Sequence, residues 1–303
     1  MTSVVRFALV ATLAVMLATG CGRGDESTAD SDEAGVRVAS FDFAESELLA
    51  ELYAQALESE SVPVTRLGQV GPREIVAPAM ELGHIDVVAE YLGTALQYAG
   101  STEPNPESRS AFEDLNTRLA SKDLVALALS SAEDKNTVVV TAEVADAGRL
   151  ETISDLRSVA DGWRFGGPAE CPDRPLCLVG LEDVYGLRFA EFVPQRSLAF
   201  TAEALRRGEI DAGLMFTSAA ELEAPDLVEL TDDLQLQPAE NIVPVVRTEI
   251  VQQWGSSITD PLAAVSAALT TDELRALNVR VAKGDPVPEV ASEWLLRHEL
   301  LDR

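Results

Sequence analysis

Histidine is scarce in this chain of 303 residues, which carries only His84 and His298. Two imidazoles, one in a turn and one on a C-terminal helix, argue against a Ser-His-Asp triad. There is also no Gly-x-Ser-x-Gly elbow, no His-Glu-x-x-His and no Walker-type phosphate loop. The expectation is a protein that is not an enzyme, with no catalytic residue and no cofactor. Acid pairs such as Glu45 and Glu47 are expected by chance among 51 acidic residues and read as a solvated face. Cysteine is equally sparse, at Cys21, Cys171 and Cys177, and neither histidine lies near the last two in sequence, which argues against a metal site. Basic residues are few, 23 against 51 acids, for a net charge of −28. Such a surface repels nucleic acid and anionic headgroups.

The chain also lacks an apolar run long enough to make a good membrane span. The longest, Phe7 to Leu17, follows Arg6 and precedes Ala18-Thr19-Gly20-Cys21, the pattern of a secretory signal over residues 1–20. Cys21 after Ala-Thr-Gly resembles a bacterial lipobox, with Leu17 four residues before the cysteine rather than the usual three; lipidation of Cys21 is expected, with simple secretion as the alternative. Removing residues 1–20 takes away only Arg6, so a net charge of −28 becomes −29. Residues 21–35, rich in Ser, Asp and Glu, read as a solvated tether. With Cys21 assigned to the anchor of an exported chain, Cys171 and Cys177 are expected to pair as a disulfide that shapes the Pro-rich turn between them.

Against these absences stands an apolar content of 47%, enough for a folded chain. It also holds a repeat. Met80 to Leu96 (MELGHIDVVAEYLGTAL) returns as Leu205 to Glu221 (LRRGEIDAGLMFTSAAE), with Gly83, Ile85 and Asp86 matched by Gly208, Ile210 and Asp211. Each copy reads as a helix stopped by glycine and then a short strand. The strand delivers an aromatic, Tyr91 or Phe216, at its C-terminal end, where open α/β sheets bind ligands. The alternative is two ordinary helix-turn-strand units with core aromatics.

Alternating strands and helices over the first hundred residues imply an α/β chain with mostly parallel sheets. Asp134 to Val144 reads as one extended strand crossing to a second lobe, and Asn241 to Arg247 as a second crossing back, the two forming a hinge. Residues 36–137 and 243–303 are assigned to lobe 1, residues 138–242 to lobe 2. Lobe 2 is expected to open with a helix capped by Ser154, and the tail to hold a capping box of Thr270 with Glu273 ahead of Leu274 and Leu277. A last helix should bury Val290, Ala291, Trp294, Leu295 and Leu301.

Five stretches, VASFDFAESELLAELYAQALES, GPREIVAPAMELGHIDVVAEYLGTAL, GGPAECPDRPLCLVGLEDVYGL, NIVPVVR and LTTDELRALNVRV, together resemble, in the same order, the glycine betaine, choline and carnitine binding proteins of osmoprotectant ABC importers, the OpuAC-like family. The resemblance spans residues 36–302. It implies a two-lobed periplasmic-binding-protein fold of type II, outside the cytoplasmic membrane and anchored by lipidated Cys21. Such a protein, as a monomer, hands a small solute to an ABC permease with its ATPase on the far side.

In this family tyrosines cage a quaternary ammonium by cation–π attraction worth about 0.5 to 2 kcal/mol per ring, and basic and hydroxyl groups meet the carboxylate. Position by position, the resemblance makes Tyr91 and Thr94 ligand-binding residues and Arg174 the carboxylate-binding arginine, and it places Phe216, with Thr217 beside it, where a further tyrosine is common. Departures are Phe41 where many members carry lysine, Val138 where a crossing-strand tyrosine stands, and Glu240 or Asn241 where an aromatic stands. The cage then reduces to Tyr91, Phe216 and Phe41, which suits a choline-like cation with less carboxylate, or a larger, partly aromatic solute such as ergothioneine. Asn136 reads equally as a ligand contact or as a side chain bonding its own turn, and Arg174 as a partner of a neighbouring acid. An envelope sensor or interaction lipoprotein on the same fold is the rival from another class.

Overall fold

A computed structural model describes residues 35–301, so the expected signal segment, Cys21 and the tether up to residue 34 lie outside the described residues. The chain runs β1 (Val36–Ser40), α1 (Ala44–Ser59), β2 (Val64–Gln69), α2 (Arg73–Glu81), β3 (Val87–Tyr91), α3 (Leu92–Tyr98), α4 (Ser108–Leu119) and β4 (Leu124–Ala126). It continues through β5 (Asn136–Thr141), α5 (Ala142–Gly148), β6 (Arg164–Gly167), α6 (Leu178–Tyr185), β7 (Glu191–Pro194), α7 (Leu198–Arg206), β8 (Ala212–Phe216) and β9 (Leu227–Leu230). β10 (Ile242–Arg247) precedes four helices, α8 (Thr248–Trp254), α9 (Ser256–Ala268), α10 (Thr271–Ala282) and α11 (Val287–Arg297).

The strands assemble into two five-stranded sheets of one design, β2-β1-β3-β10-β4 and β7-β6-β8-β5-β9. In each, three strands pair in parallel and one strand runs antiparallel to both of its neighbours, β10 in the first sheet and β5 in the second. Those two strands follow the passages between lobes, so each sheet receives its reversed strand from the chain that has just crossed. Asn136 pairs with Phe216 in the second sheet and Ile242 with Tyr91 in the first.

The repeat seen in the sequence is one structural device used twice. Gly83 and Gly208 adopt φ of 74° and 62°, the left-handed turn that glycine enters without Cβ cost. The aspartate three residues later then ties down the neighbouring strand. Asp86 accepts from the backbone N–H and the guanidinium of Arg37 on β1, and Asp211 does the same for Arg164 on β6. These clamps sit at the strands' N-terminal ends; Tyr91 and Phe216 leave from the opposite ends.

Each sheet is covered on both faces. In lobe 1, α1 packs between β1 and helices α9 and α11, burying Leu48, Leu49, Leu52 and Leu57 with Val290, Ala291, Trp294 and Leu295. In lobe 2 separate apolar clusters form around Phe165 and Leu181 and around Leu205, Ile210 and Met215.

Three local expectations are corrected. The strand expected to reach Val144 ends at Thr141, whose hydroxyl accepts from Val144 N and starts α5. The helix expected behind Ser154 is a 3-10 turn, Ile153–Ser158, capped by Thr152 and Asp155. Thr270 caps α10 by accepting from Glu273 N at 3.2 Å, but the Glu273 carboxylate turns away to accept from Trp294 Nε1 at 2.7 Å, so the reciprocal half of the box is absent. A buried indole N–H left without an acceptor is costly, and the carboxylate is more useful there.

Candidate functional site: the cleft between the lobes

The lobes are joined where the two passages run side by side. Glu133 and Asn241 form an antiparallel bridge, Ile242 N donates to Ala132 O at 2.9 Å, and Asp134 N donates to Glu240 O at 3.1 Å. A cleft of about 690 Å³ opens beside this hinge, lined from lobe 1 by Phe43, Arg73, Tyr91 and Thr94, and from lobe 2 by Arg174, Phe216 and the disulfide turn. Asp134, Asn136, Gln237 and Glu240 line it from the hinge segments. Both repeat aromatics therefore reach one cavity, from opposite walls.

The lobe 1 wall is set by local geometry. Tyr91 ends β3 and is the N-cap residue of α3, which places Thr94 in the helix's first turn. A Cβ on Gly93 would lie 2.8 Å from Ala239 O, so only glycine lets the second passage press against this turn. Pressed there, Glu240 accepts from Thr94 N at 3.1 Å and from Thr94 Oγ1 at 2.7 Å, supplying the cap that Tyr91 cannot. The Tyr91 phenol donates to Glu45 Oε1 at 2.7 Å, and its ring lies 5.9 Å from that of Phe43. Phe43 and Phe216 each leave 42% of their surface exposed, one on each wall. Large exposed rings facing a shared gap are unusual unless something fills it.

Three of the residues singled out from sequence do not line the cleft. Phe41 is 3% exposed, packed beneath Phe43 with the Arg73 guanidinium 4.8 Å from its ring centre; the lining ring is Phe43, two residues on. Val138 is buried in the lobe 2 core. Thr217 is a hinge fastener: its hydroxyl donates to Glu133 O and accepts from Lys135 N, while its carbonyl accepts from Arg275. Tyr91, Thr94, Asn136, Arg174, Phe216 and Glu240 do line the cavity. Asn136 donates not within its own turn but to Leu176 O at 3.3 Å and Gln237 Oε1 at 3.2 Å, tying the hinge to the turn closed by Cys171 and Cys177. The two cysteines are disulfide-bonded, as expected. Arg174 on that turn pairs with Glu170 at 2.9 Å, both well exposed.

Sequence reasoning missed Phe43, Arg73, Asp134 and Glu45. The Glu45 reading is also corrected: it accepts from Tyr91 and from Asn278 Nδ2 at 2.5 Å rather than facing solvent. Its carboxyl is raised from the ordinary value by burial, against the pull of its hydrogen bonds to Ser218, Tyr91 and Asn278. Burial, then the neighbouring Glu45, pushes Asp134 up to about 8. Burial pushes Glu240 up to about 7, although Thr94 and Arg73 oppose it. Among the described residues no group of histidine, cysteine or acids is arranged to hold a metal ion, and no helix is long and apolar enough to cross a membrane.

The family model for the substrate binding domain of ABC-type glycine betaine transport systems, OpuAC, matches residues 34–297. The chain belongs to that family. It is 26% identical over 280 residues to a glycine-betaine-binding protein of Pseudomonas aeruginosa, covering 88% of this chain and 89% of that one. It is 25% identical over 273 residues to the glycine betaine-binding protein YehZ of Escherichia coli, covering 86% and 89%. The solved structure of a glycine betaine/carnitine/choline ABC transporter protein superposes with a TM-score of 0.82 at 23% identity, over 88% of this chain and all of the other. The family is one of transport substrate-binding proteins rather than enzymes, and its two-lobed α/β architecture is the one described above.

Proposed function

We propose that this OpuAC domain binds a small quaternary-ammonium solute in the interlobe cleft and delivers it to a membrane permease of an ABC importer, held outside the cytoplasmic membrane by a lipid on Cys21. The observation that carries the reading is the cleft itself, with Phe43 and Tyr91 on one wall and Phe216 on the other. An aromatic face attracts an ammonium ion by about 0.5 to 2 kcal/mol per ring, more when water is excluded. A cation touching both walls binds the shut form better than the open one, and that difference is what drives closure about the two hinge passages. In this reading Tyr91, Phe43 and Phe216 meet the cation, while Thr94 and Asn136 hold the cleft's shape.

Arg174 is the group that distinguishes solutes. It stands on the disulfide turn with its charge already matched by Glu170, so a solute carboxylate must compete for it. Isothermal titration of the mature chain with glycine betaine, choline and carnitine tests the reading. At least one is expected to bind, and Arg174→Ala is expected to weaken only those bearing a carboxylate. Equal losses for choline and glycine betaine refute that role for Arg174; no heat from any of the three removes the whole proposal.

A further inference from the structure

The charges around the cleft are matched in pairs, with an excess left over. Arg73 spends its hydrogen bonds on Glu90 at 2.8 Å, Lys135 on Glu133 at 2.7 Å and Arg174 on Glu170 at 2.9 Å. Arg275, from α10, points at Thr217 O and Glu229. Arg196 stands exposed at the rim over the ring of Phe200. After this pairing three carboxyls remain: Asp134 and Glu240, which line the cavity at its hinge end, and Glu45, which is bonded to the Tyr91 phenol. Among the described residues none of the three has a salt-bridge partner. Glu45 takes neutral donors from Tyr91 and Asn278, Asp134 takes the Ser218 hydroxyl at 2.6 Å, and Glu240 takes Thr94. Arg73 is the one base that pulls on Glu240, and it does so without a bond.

Glu240 is buried and Glu45 and Asp134 are half-buried; a carboxylate drawn out of water without a counter-ion is expensive, and proteins either pair it or keep it protonated. Here the position a counter-ion would take is open space, since Asp134 and Glu240 both line the cleft. We infer that the solute supplies the missing positive charge: Asp134, backed by Glu240, is the counter-charge that makes this cleft select monocations lacking a carboxylate over zwitterions, and seating the cation expels a proton from the pair. This rests on the proposed function and narrows its solute class. A zwitterion brings its own anion beside carboxyls that ionise as its cation seats, and the arginine placed for that anion is occupied by Glu170.

The elevated acids agree with this charge count. Pushed up to about 8 and about 7, chiefly by desolvation, Asp134 is mostly protonated and Glu240 about half protonated in neutral solution when the cleft is empty. A cation beside them favours the ionised form, so the proton leaves as the cation enters, and affinity rises with pH until both are ionised. Glu45, from α1, and Glu240, from the second passage, face Asp134 and help keep its proton on, against the hydrogen bonds from Ser218. Lys135, bound to Glu133, does not relieve it.

The test is titration of the full mature chain with choline and with glycine betaine at pH 6, 7.5 and 9. The middle pH is run in two buffers of different ionisation enthalpy, which gives the protons released. Choline affinity is expected to rise on the order of tenfold or more from pH 6 to 9, with net proton release at pH 7.5. Glycine betaine should gain much less. Asp134→Asn, which keeps an oxygen for the Ser218 hydroxyl, should lose most of the pH dependence and the proton release. Choline binding that is flat in pH with no proton exchanged overturns the inference and leaves the proposed function standing, and this wild-type measurement holds even if the variant fails to fold. Pronounced pH dependence retained in a folded Asp134→Asn protein also overturns it, as does glycine betaine binding tighter than choline at pH 9. Absence of binding by either solute at every pH overturns both readings.

Discussion

Replacing Asp86 by alanine and, separately, Asp211 by alanine compares the two copies of the repeat, because the same clamp is buried to different depths. The Asp86 carboxylate is 2% exposed and accepts from Arg37 N, Nε and Nη2, each at 2.8 Å, and from Arg247 Nη1 at 3.1 Å. Its removal strands a backbone N–H and two guanidinium groups that are themselves only 30% and 21% exposed. Breaking a buried ion pair from one side costs about 3 to 5 kcal/mol, and the partial exposure of both arginines puts the expectation at the low end, about 3 kcal/mol. Asp211 is 29% exposed and its partner Arg164 37%, and among the described residues no second arginine pairs with it. There the ion pair is worth ~1 kcal/mol or less and the lost backbone bond about the same.

A difference of about 1 kcal/mol between the variants follows, about 3 against about 2, read as the midpoints of urea unfolding by far-ultraviolet circular dichroism. Trp163 in lobe 2, against Trp254 and Trp294 in lobe 1, shows whether the lobes unfold together. Burial raises the Asp86 carboxyl, but the hydrogen bonds and charge of Arg37, with Arg247, outweigh it and hold the group below its ordinary value of 3.8. Its stabilisation is therefore complete above about pH 4 and fades as the pH falls further, so the gap between wild type and Asp86→Ala narrows only in strong acid. Equal losses for the two variants, or a larger loss for Asp211→Ala, would refute the argument from depth.

Two further outcomes are expected. Asp134 and Glu240 keep their protons to about pH 8 and 7 in the folded, ligand-free protein, whereas the unfolded chain releases them near pH 4. Stability should therefore decline as pH climbs through that window, and Glu240→Gln should flatten the decline of the melting temperature by at least ~2 °C at pH 8; a melting temperature that rises across the window contradicts this. Replacing both Cys171 and Cys177 by serine should cost about 2 kcal/mol of unfolding free energy, since the bond closes only a short loop. Unchanged urea midpoints would show that the Asn136 and Gln237 bonds to Leu176 O hold that turn alone.

Much of this protein is legible in its residues taken in order. The spacing of Gly83, Asp86 and Tyr91, repeated at Gly208, Asp211 and Phe216, marks two like lobes because a glycine turn and a short strand are set by neighbouring residues. Apolar periodicity places α1 and α11, and two cysteines left in a chain expected to be exported imply their bond. Local pattern failed where a side chain's partner comes from far along the chain. Phe41 and Phe43 lie at the turn out of β1, and nothing in their order says which ring the second lobe will face. Thr217 looks like a ligand group beside Phe216, yet Glu133, Lys135 and Arg275 claim it.

The acids show the division most sharply. Sequence alone determined that carboxylates abound and that most must be solvated, since burial of many would be ruinous. Only the tertiary structure decided which few are not: Asn278, 233 residues away, draws Glu45 inward, and two hinge passages lying side by side bring Asp134 and Glu240 to one cavity whose Arg73, Lys135 and Arg174 are bonded to other acids. Whether a charge is matched depends on what surrounds it in space, and neighbours in sequence do not carry that information.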